Sequence, residues 1–264
     1  MKIAICIKQV PDSWAEKKMA GGVLDRAGVD AVLNDLDEYA VEEALRIVEA
    51  NSPTKEAGEG SGHTITLISM GPERASEAIR KALSMGADDA ILVSDPSLAG
   101  SDVLATSLVL AEVIKKGNYD LVLCGTESTD ARMSVIPAMI SQRLSWAQLT
   151  FAGKVAVNPA ASTVEIERIT EFGNQVMSAK FPVVLSVIEK INEPRYPSFK
   201  GIMAAKKKVI DSKDLAAVGI SVDSAWSLVA DSAPRPPRAA GIKIVAVNEG
   251  EHGDLGSEPS SVLC

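Results

Sequence analysis

Apolar residues fall along the first 145 positions in two alternating rhythms. Short unbroken runs come at 3–7 (IAICI), 90–93 (AILV) and 121–124 (LVLC), and a mostly apolar one, interrupted by Thr66 and Ser69, at 65–70 (ITLISM). Between them, apolar side chains recur at the spacing of a helix. The pattern predicts buried strands over 2–10, 63–70, 90–94 and 119–125, the first closed by the Pro11-Asp12 breaker. It predicts helices over 36–50, from Gly71-Pro72 through Ser84, from a Ser101-Asp102 cap to about Lys116, and over roughly 132–144. In the first of these, Leu36, Tyr39, Ala40, Ala44 and Leu45 share a side, with Asn34 ahead as a cap and Glu38, Glu42 and Glu43 elsewhere on the wheel. Residues 11–33 read as a loop with a short hairpin, and 51–62 as a surface loop. Strands this uniformly apolar belong to a parallel sheet covered by helices on both faces.

Past residue 145 the rhythm changes. Segments 149–157, 162–170, 174–181 and 183–188 read as strands with no long helix between them, and helical spacing returns only over 201–208 and 213–217. From 231 come APRPPRAAG, a β-like run IKIVAV, and a polar end, EGEHGDLGSEPSS, that reads as disordered. The expected organisation is an α/β domain over 1–188 with a β insertion at 149–188, an extension over 189–230, and an arm and tail over 231–264.

Composition narrows the field of functions. With 46% hydrophobic and 23% charged residues the chain is an ordinary globular one, and its 4% of aromatics leave core packing to aliphatic side chains. Thirty-five acidic against 27 basic residues, a net charge of -8, argue against nucleic acid or an anionic membrane as the main partner. Two histidines are too few for a His-based metal site or a Ser-His-Asp triad. The cysteines have no metal spacing, and Cys6 and Cys124 sit inside apolar runs as small buried hydrophobes. No run approaches the roughly 18 apolar residues of a membrane span, and the start lacks a signal-type core, so the expected location is the cytoplasm.

An open parallel sheet binds ligands at the carboxyl ends of its strands. Three segments converge there: Cys6–Asp12, Ser69–Pro72 and Gly125–Arg132. The last, GTESTDAR, offers Thr126, Ser128, Thr129 and Asp130 ahead of a helix N-terminus, where N–H groups favour an anion. Local chemistry alone favours a capping loop whose hydroxyls serve only their own helix. There is no Walker A sequence and no well-placed GxGxxG, which argues against a nucleoside triphosphatase. Adjacent Glu42 and Glu43 point in different directions on a helix and form no dyad, so they read as a solvated face.

The string INEPRYPSFKGIMAAKKK at 191–208 closely resembles the signature of the electron-transfer flavoprotein beta subunit. IKQVPD (7–12), AVEEALRI (40–47), SMGPERASEAIRKALSMGADDA (69–90), DLVLCGTESTD (120–130), FPVVLSV (181–187) and PPRAAGIKI (236–244) agree with it in order. The resemblance implies a three-layer, adenine-nucleotide-binding fold of Rossmann-like, HUP-type topology, with a small antiparallel region and an extended C-terminal arm. It implies an electron carrier, not an enzyme. Such a subunit pairs with an alpha subunit that holds the redox-active FAD, accepts electrons from acyl-CoA and related dehydrogenases, and passes them to a quinone oxidoreductase.

In most non-bifurcating members the beta subunit holds a structural AMP. In electron-bifurcating relatives, which oxidise NADH, a second FAD takes that place. The matching nucleotide positions are Cys6, Ile7, Lys8, Asn34, Met70, Gly125, Thr126, Ser128, Thr129, Asp130, Ser134 and Val135. One departure touches the phosphate grip. Where many AMP-binding members have Asn-Gln-Thr or Ala-Ser-Thr and then Gly, this chain has Ser134, Val135, Ile136 and Pro137, and Ile136 has no hydroxyl to donate. The Asp-Gly-Asp-Thr-x-Gln loop of bifurcating members is absent too, so AMP is the expected nucleotide. For dehydrogenase recognition the resemblance points to Arg195, Tyr196, Phe199, Ile202 and Met203, with Phe199 as the apolar anchor and Arg195 with Lys206–Lys208 as steering charges. At 167–173, Ile169 and Phe172 interrupt the family's acidic turn. A free-standing adenine-nucleotide-binding protein of the universal-stress type is the remaining alternative.

Overall fold

The computed structural model describes residues 1–16, 18–52, 62–222, 225–233, 236 and 238–241. Residues 1–230 form one compact unit, and 231–264 form a second, in which the described residues carry no helix or strand. The IKIVAV run, the polar tail and most of the 51–62 loop lie outside the described residues.

In chain order the first half runs β1 (Lys2–Cys6), β2 (Gln9–Pro11), a small hairpin of β3 (Met19–Ala20) and β4 (Val23–Leu24), β5 (Ala31–Leu33), α1 (Asp35–Asn51), β6 (Thr64–Met70), α2 (Ser76–Met85) and β7 (Asp89–Val93). It continues with α3 (Val103–Gly117), β8 (Leu121–Gly125), α4 (Ile136–Leu144), β9 (Ala147–Asn158), β10 (Thr163–Thr170), β11 (Gly173–Lys180), β12 (Val183–Val187), α5 (Phe199–Lys207), β13 (Ile210–Lys213) and α6 (Leu215–Val218). One anticipated cap is in place: the Asp102 carboxylate accepts from the N–H groups of Leu104 and Ala105.

One sheet of nine strands organises the unit, in the order β11-β10-β9-β12-β8-β1-β6-β7-β13. From β9 to β13 every neighbouring pair is parallel. At the other edge β9, β10 and β11 form an antiparallel meander. The four strand segments past residue 145 therefore divide: three make the meander, while Val183–Val187 enters the middle of the parallel sheet between β8 and β9, wholly buried.

Alternation along each central strand divides its side chains between two cores. Ile3, Ile5, Ile65, Leu67, Leu121, Leu123, Val183 and Leu185 face α1 and α2. Ala4, Cys6, Ile68, Val122, Cys124 and Val184 face α3, α4 and α6. Each fully buried Ile or Leu contributes about 2 kcal/mol of burial free energy, which accounts for strands without a polar face. Among the described residues no helix is long and apolar enough to cross a membrane, and no cluster of His, Cys, Asp and Glu could hold a metal ion.

Strand β13 has no counterpart in the sequence reading and α6 starts two residues later than its spacing suggests, and three further boundaries differ. The first run is two strands, because the chain leaves the large sheet after Cys6 and β2 turns to pair with β5. The second helix is preceded by a 3-10 turn over Glu73–Ala75. The fourth begins at Ile136 instead of about 132, because Arg132 and Ser134 take the left-handed backbone conformation, with φ of 50° and 54°, and hold the chain out of a helix until then.

Candidate functional site

At the end of β1 the chain turns aside through two hydrogen bonds. Ile7 N–H donates to the Ile68 carbonyl at 2.9 Å. Lys8 N–H donates at 2.8 Å to Oδ2 of Asp37, in the first turn of α1. The end of β8 meets that same turn. A Cβ on Gly125 would lie 2.6 Å from Asp37 Oδ1 and 2.8 Å from the Leu36 carbonyl, so only glycine lets strand and helix approach this closely. Burial pushes the Asp37 carboxyl up to about 7, although hydrogen bonds from Asn34 and from the Lys8 and Gly125 N–H groups, with the Lys8 charge, all act to lower it.

The loop after Gly125 is tied down on both sides. Thr126 donates to the Val187 carbonyl through its N–H at 3.0 Å and its hydroxyl at 2.6 Å. Asn34 occupies the position before α1 but makes no side-chain cap. Instead its Nδ2 donates to the Glu127 carbonyl at 2.9 Å, and its Oδ1 accepts from the Thr129 N–H at 3.0 Å. The expected helix cap is thus the staple of the 127–129 loop.

Asp130 is the centre of charge here. Its side chain is 2% exposed and accepts from Lys8 Nζ at 2.8 Å and from Arg26 Nη2 at 2.8 Å and Nε at 3.0 Å. Lys8 Nζ also lies 3.4 Å from Ser128 Oγ. Burial works to raise the Asp130 pKa, but the hydrogen bond and charge of Lys8, with Ser128 and Arg26, outweigh it and hold the group below the ordinary carboxylate value. Two cations share this carboxylate, and their side chains are 41% and 49% exposed, so Asp130 by itself neutralises one of the two positive charges at the rim. Arg26 carried no signal in the sequence. It arrives because Arg74 donates to the Arg26, Ala27 and Val29 carbonyls and pins that segment over the loop.

The remaining positions sort by what they offer. Cys6 and Ile7 are buried, with side chains in the two cores, so only their backbone can reach a ligand. Met70 is half-buried against the core at the end of β6. Val135 precedes α4, and the Ser134 hydroxyl donates to Glu127 Oε2 at 3.1 Å. The Ser134 group that would replace a missing threonine is therefore turned to a carboxylate.

A second cluster lies on the outer face of α1, and it overturns two expectations. Glu42 and Glu43 are buried, not solvated, because the 192–195 segment lies over them. Asn192 Nδ2 donates to Glu43 Oε2 at 3.0 Å and to the Tyr39 carbonyl at 3.1 Å. Arg195 Nε donates to Glu42 Oε2 at 2.7 Å, and its Nη1 donates to Glu49 Oε1 at 2.6 Å. Arg46 closes on Glu42 from the other side at 2.9 Å. Arg195 is thus no steering charge: its guanidinium is spent within the fold, and the two carboxylates push its pKa higher still. Of the lysines, Lys208 donates to the Ala87 carbonyl, whereas Lys206 and Lys207 are exposed.

Beyond Arg195 the chain presents apolar side chains outward. Tyr196 is 95% and Phe199 80% exposed, with Ile202 and Met203 partly open behind them. Phe199 begins α5, whose start is capped by Ser198 Oγ accepting from the Gly201 N–H at 3.0 Å. Gly201 itself is required by the packing of α5 on α2, since a Cβ there would lie 2.5 Å from the Ser84 carbonyl. Phe199 does not tuck against its own unit.

Residues 21–218 match the family described as electron transfer flavoprotein domain. The chain is 46% identical over 260 residues to the electron transfer flavoprotein subunit beta of Mycobacterium tuberculosis, covering 96% of this chain and 94% of that protein. It is 39% identical over 227 residues to the protein of the same name from Megasphaera elsdenii, covering 83% of this chain and 80% of that one. To Protein FixA of Azotobacter vinelandii it is 36% identical over 227 residues, covering 83% and 77%.

Proposed function

The chain belongs to the electron transfer flavoprotein family, on the beta-subunit side, and we propose from that premise that it holds a structural AMP at the 125–135 loop. An alpha subunit is the implied partner and is the proposed holder of the FAD that carries electrons. Acyl-CoA and related dehydrogenases are the proposed donors, docking on 196–203, and a quinone oxidoreductase is the proposed acceptor.

The observation that supports the nucleotide is the Asp130 cluster. Lys8 and Arg26 together carry one more charge than Asp130 balances, at the carboxyl ends of parallel strands. Their exposed sides can donate charge-assisted hydrogen bonds to a phosphate. The donor set fits an anion without Ser134 or a residue-136 hydroxyl. AMP supplies no redox chemistry; bound there, it would fix the loop between β8 and α4. This chain's own part in electron transfer is then structural: it completes the partner subunit's surroundings and presents the docking segment.

The test is stoichiometric. The complex copurified with its alpha subunit is denatured, and released FAD and AMP are quantified per heterodimer. One of each is the expected result. Two FAD would overturn the proposal in favour of a bifurcating flavoprotein, and FAD without AMP would remove the nucleotide from it.

A further inference from the structure

We infer that Arg195, Glu42 and Glu49 form a clamp that fixes the angle and rigidity of the docking segment, so that Arg195 is a positioning residue for dehydrogenase binding. The inference rests on the reading of 196–203 as the docking surface. Arg195 is the last tethered side chain before the exposed Tyr196. Its guanidinium makes a double fork: Nε and Nη2 reach Glu42 at 2.7 and 3.1 Å, and Nη1 and Nη2 reach Glu49 at 2.6 and 3.1 Å. The Arg195 N–H adds a contact to Glu42 Oε2 at 3.2 Å, so backbone and side chain are tied to the same carboxylate. Asn192 ties the other end of the turn to Glu43.

Five donors on a planar fork suit this geometry, and a lysine cannot reproduce it. The far end of the segment is anchored separately, through the Ser198 cap and the α5–α2 packing at Gly201. Residues 196–198 are therefore suspended between two fixed points. An apolar side chain held out in water binds a partner pocket without the ordering cost a free loop would carry.

Glu49 gives the clean test, because it is partly exposed, lies on α1 outside the docking segment, and leaves Glu42 paired when removed. Glu49→Gln, Phe199→Ala and the double variant are assayed as complete heterodimers with an acyl-CoA dehydrogenase that reduces the parent complex. Glu49→Gln is expected to raise the apparent KM for the carrier about fivefold at unchanged kcat, the pattern of weakened binding without altered chemistry. Amide exchange is expected to quicken at Arg195, whose N–H is bonded to Glu42, while α1 keeps its protection. In the Phe199→Ala background, Glu49→Gln is expected to raise KM by clearly less than in the parent, because the apolar anchor is gone and only Tyr196 and its neighbours remain to be positioned. Arg195→Lys is expected to resemble Glu49→Gln.

If Phe199→Ala raises KM and Glu49→Gln does not, the clamp is overturned and the docking surface stands. Additive effects of the two substitutions would likewise overturn it. If Phe199→Ala itself leaves KM unchanged, the docking reading fails and the clamp fails with it.

Discussion

One knot of ionised side chains lies beside the N-terminal turn of α1 and another along its outer face, and the two have opposite stoichiometry. Beside its N-terminal turn one carboxylate, Asp130, serves two cations, Lys8 and Arg26. Along its outer face one guanidinium, Arg195, serves two carboxylates, Glu42 and Glu49, with Arg46 completing the balance. The first knot leaves a half-exposed positive charge and can take up an anion. The second is internally neutral and can only hold two parts of the chain together. What a charged residue does follows from how many partners already claim it, and residue type alone does not reveal that count.

The contrast breaks most visibly at Arg195. Arg195→Met leaves Glu42, whose side chain is 4% exposed, with Arg46 as its remaining cation and loosens the 192–195 segment from α1. A loss of about 2 kcal/mol in denaturant unfolding is expected, less than a fully buried pair would cost because Arg195 itself is one-third exposed. An unchanged midpoint would show that the knot holds nothing.

Lys8→Met probes the other knot, and there the expected loss is of ligand and not of fold. Arg26 still balances Asp130, so unfolding should shift by well under 1 kcal/mol for a half-exposed pair. The surplus charge is gone, and AMP titrated into nucleotide-depleted heterodimer should bind roughly tenfold more weakly, the loss of one charge-assisted contact. Equal AMP affinity in parent and variant would mean the surplus charge does not face the phosphate.

The same distinction explains what could be read along the chain. Uninterrupted runs such as IAICI and LVLC can only be strands buried on both faces, so the parallel sheet was legible. The Asp102 cap and the outward placement of Phe199 were legible too, one from local chemistry and the other from the family string. Glu42 and Glu43 were not, because a helical wheel shows one helix, and the segment that covers them arrives from far along the chain. Asn34 failed in the same way: its side chain had a nearer offer from the 127–129 loop than from its own helix. Arg26 sits in a stretch without periodicity, and only its meeting with Asp130 marks it.

The smallest expected effect is a difference in pH dependence between the first turn of α1 and its outer face. Asp37 titrates at the ordinary 3.8 when the chain is unfolded and at about 7 in the fold. The folded form therefore binds the extra proton between those values, and the group's contribution to stability is fully present below the lower value and lost as pH rises through the upper one. Between pH 6 and 8 that loss amounts to about 1 kcal/mol. At the clamp, burial acts to raise Glu42, but the Arg195 and Arg46 hydrogen bonds prevail and lower it, so its contribution is present above the ordinary glutamate range and lost only as the medium turns acid. Burial also raises Glu38 and Glu43, which slope the same way as Asp37, so the comparison has to be made within one background. Asp37→Asn supplies it: the amide costs stability where it meets the Gly125 N–H, but it cannot titrate. Unfolding midpoints taken across pH 5–8 should fall less steeply in the variant than in the parent. Parallel slopes would show that Asp37 is ionised throughout, with its three hydrogen-bond donors prevailing over burial and the two sites on the helix responding alike.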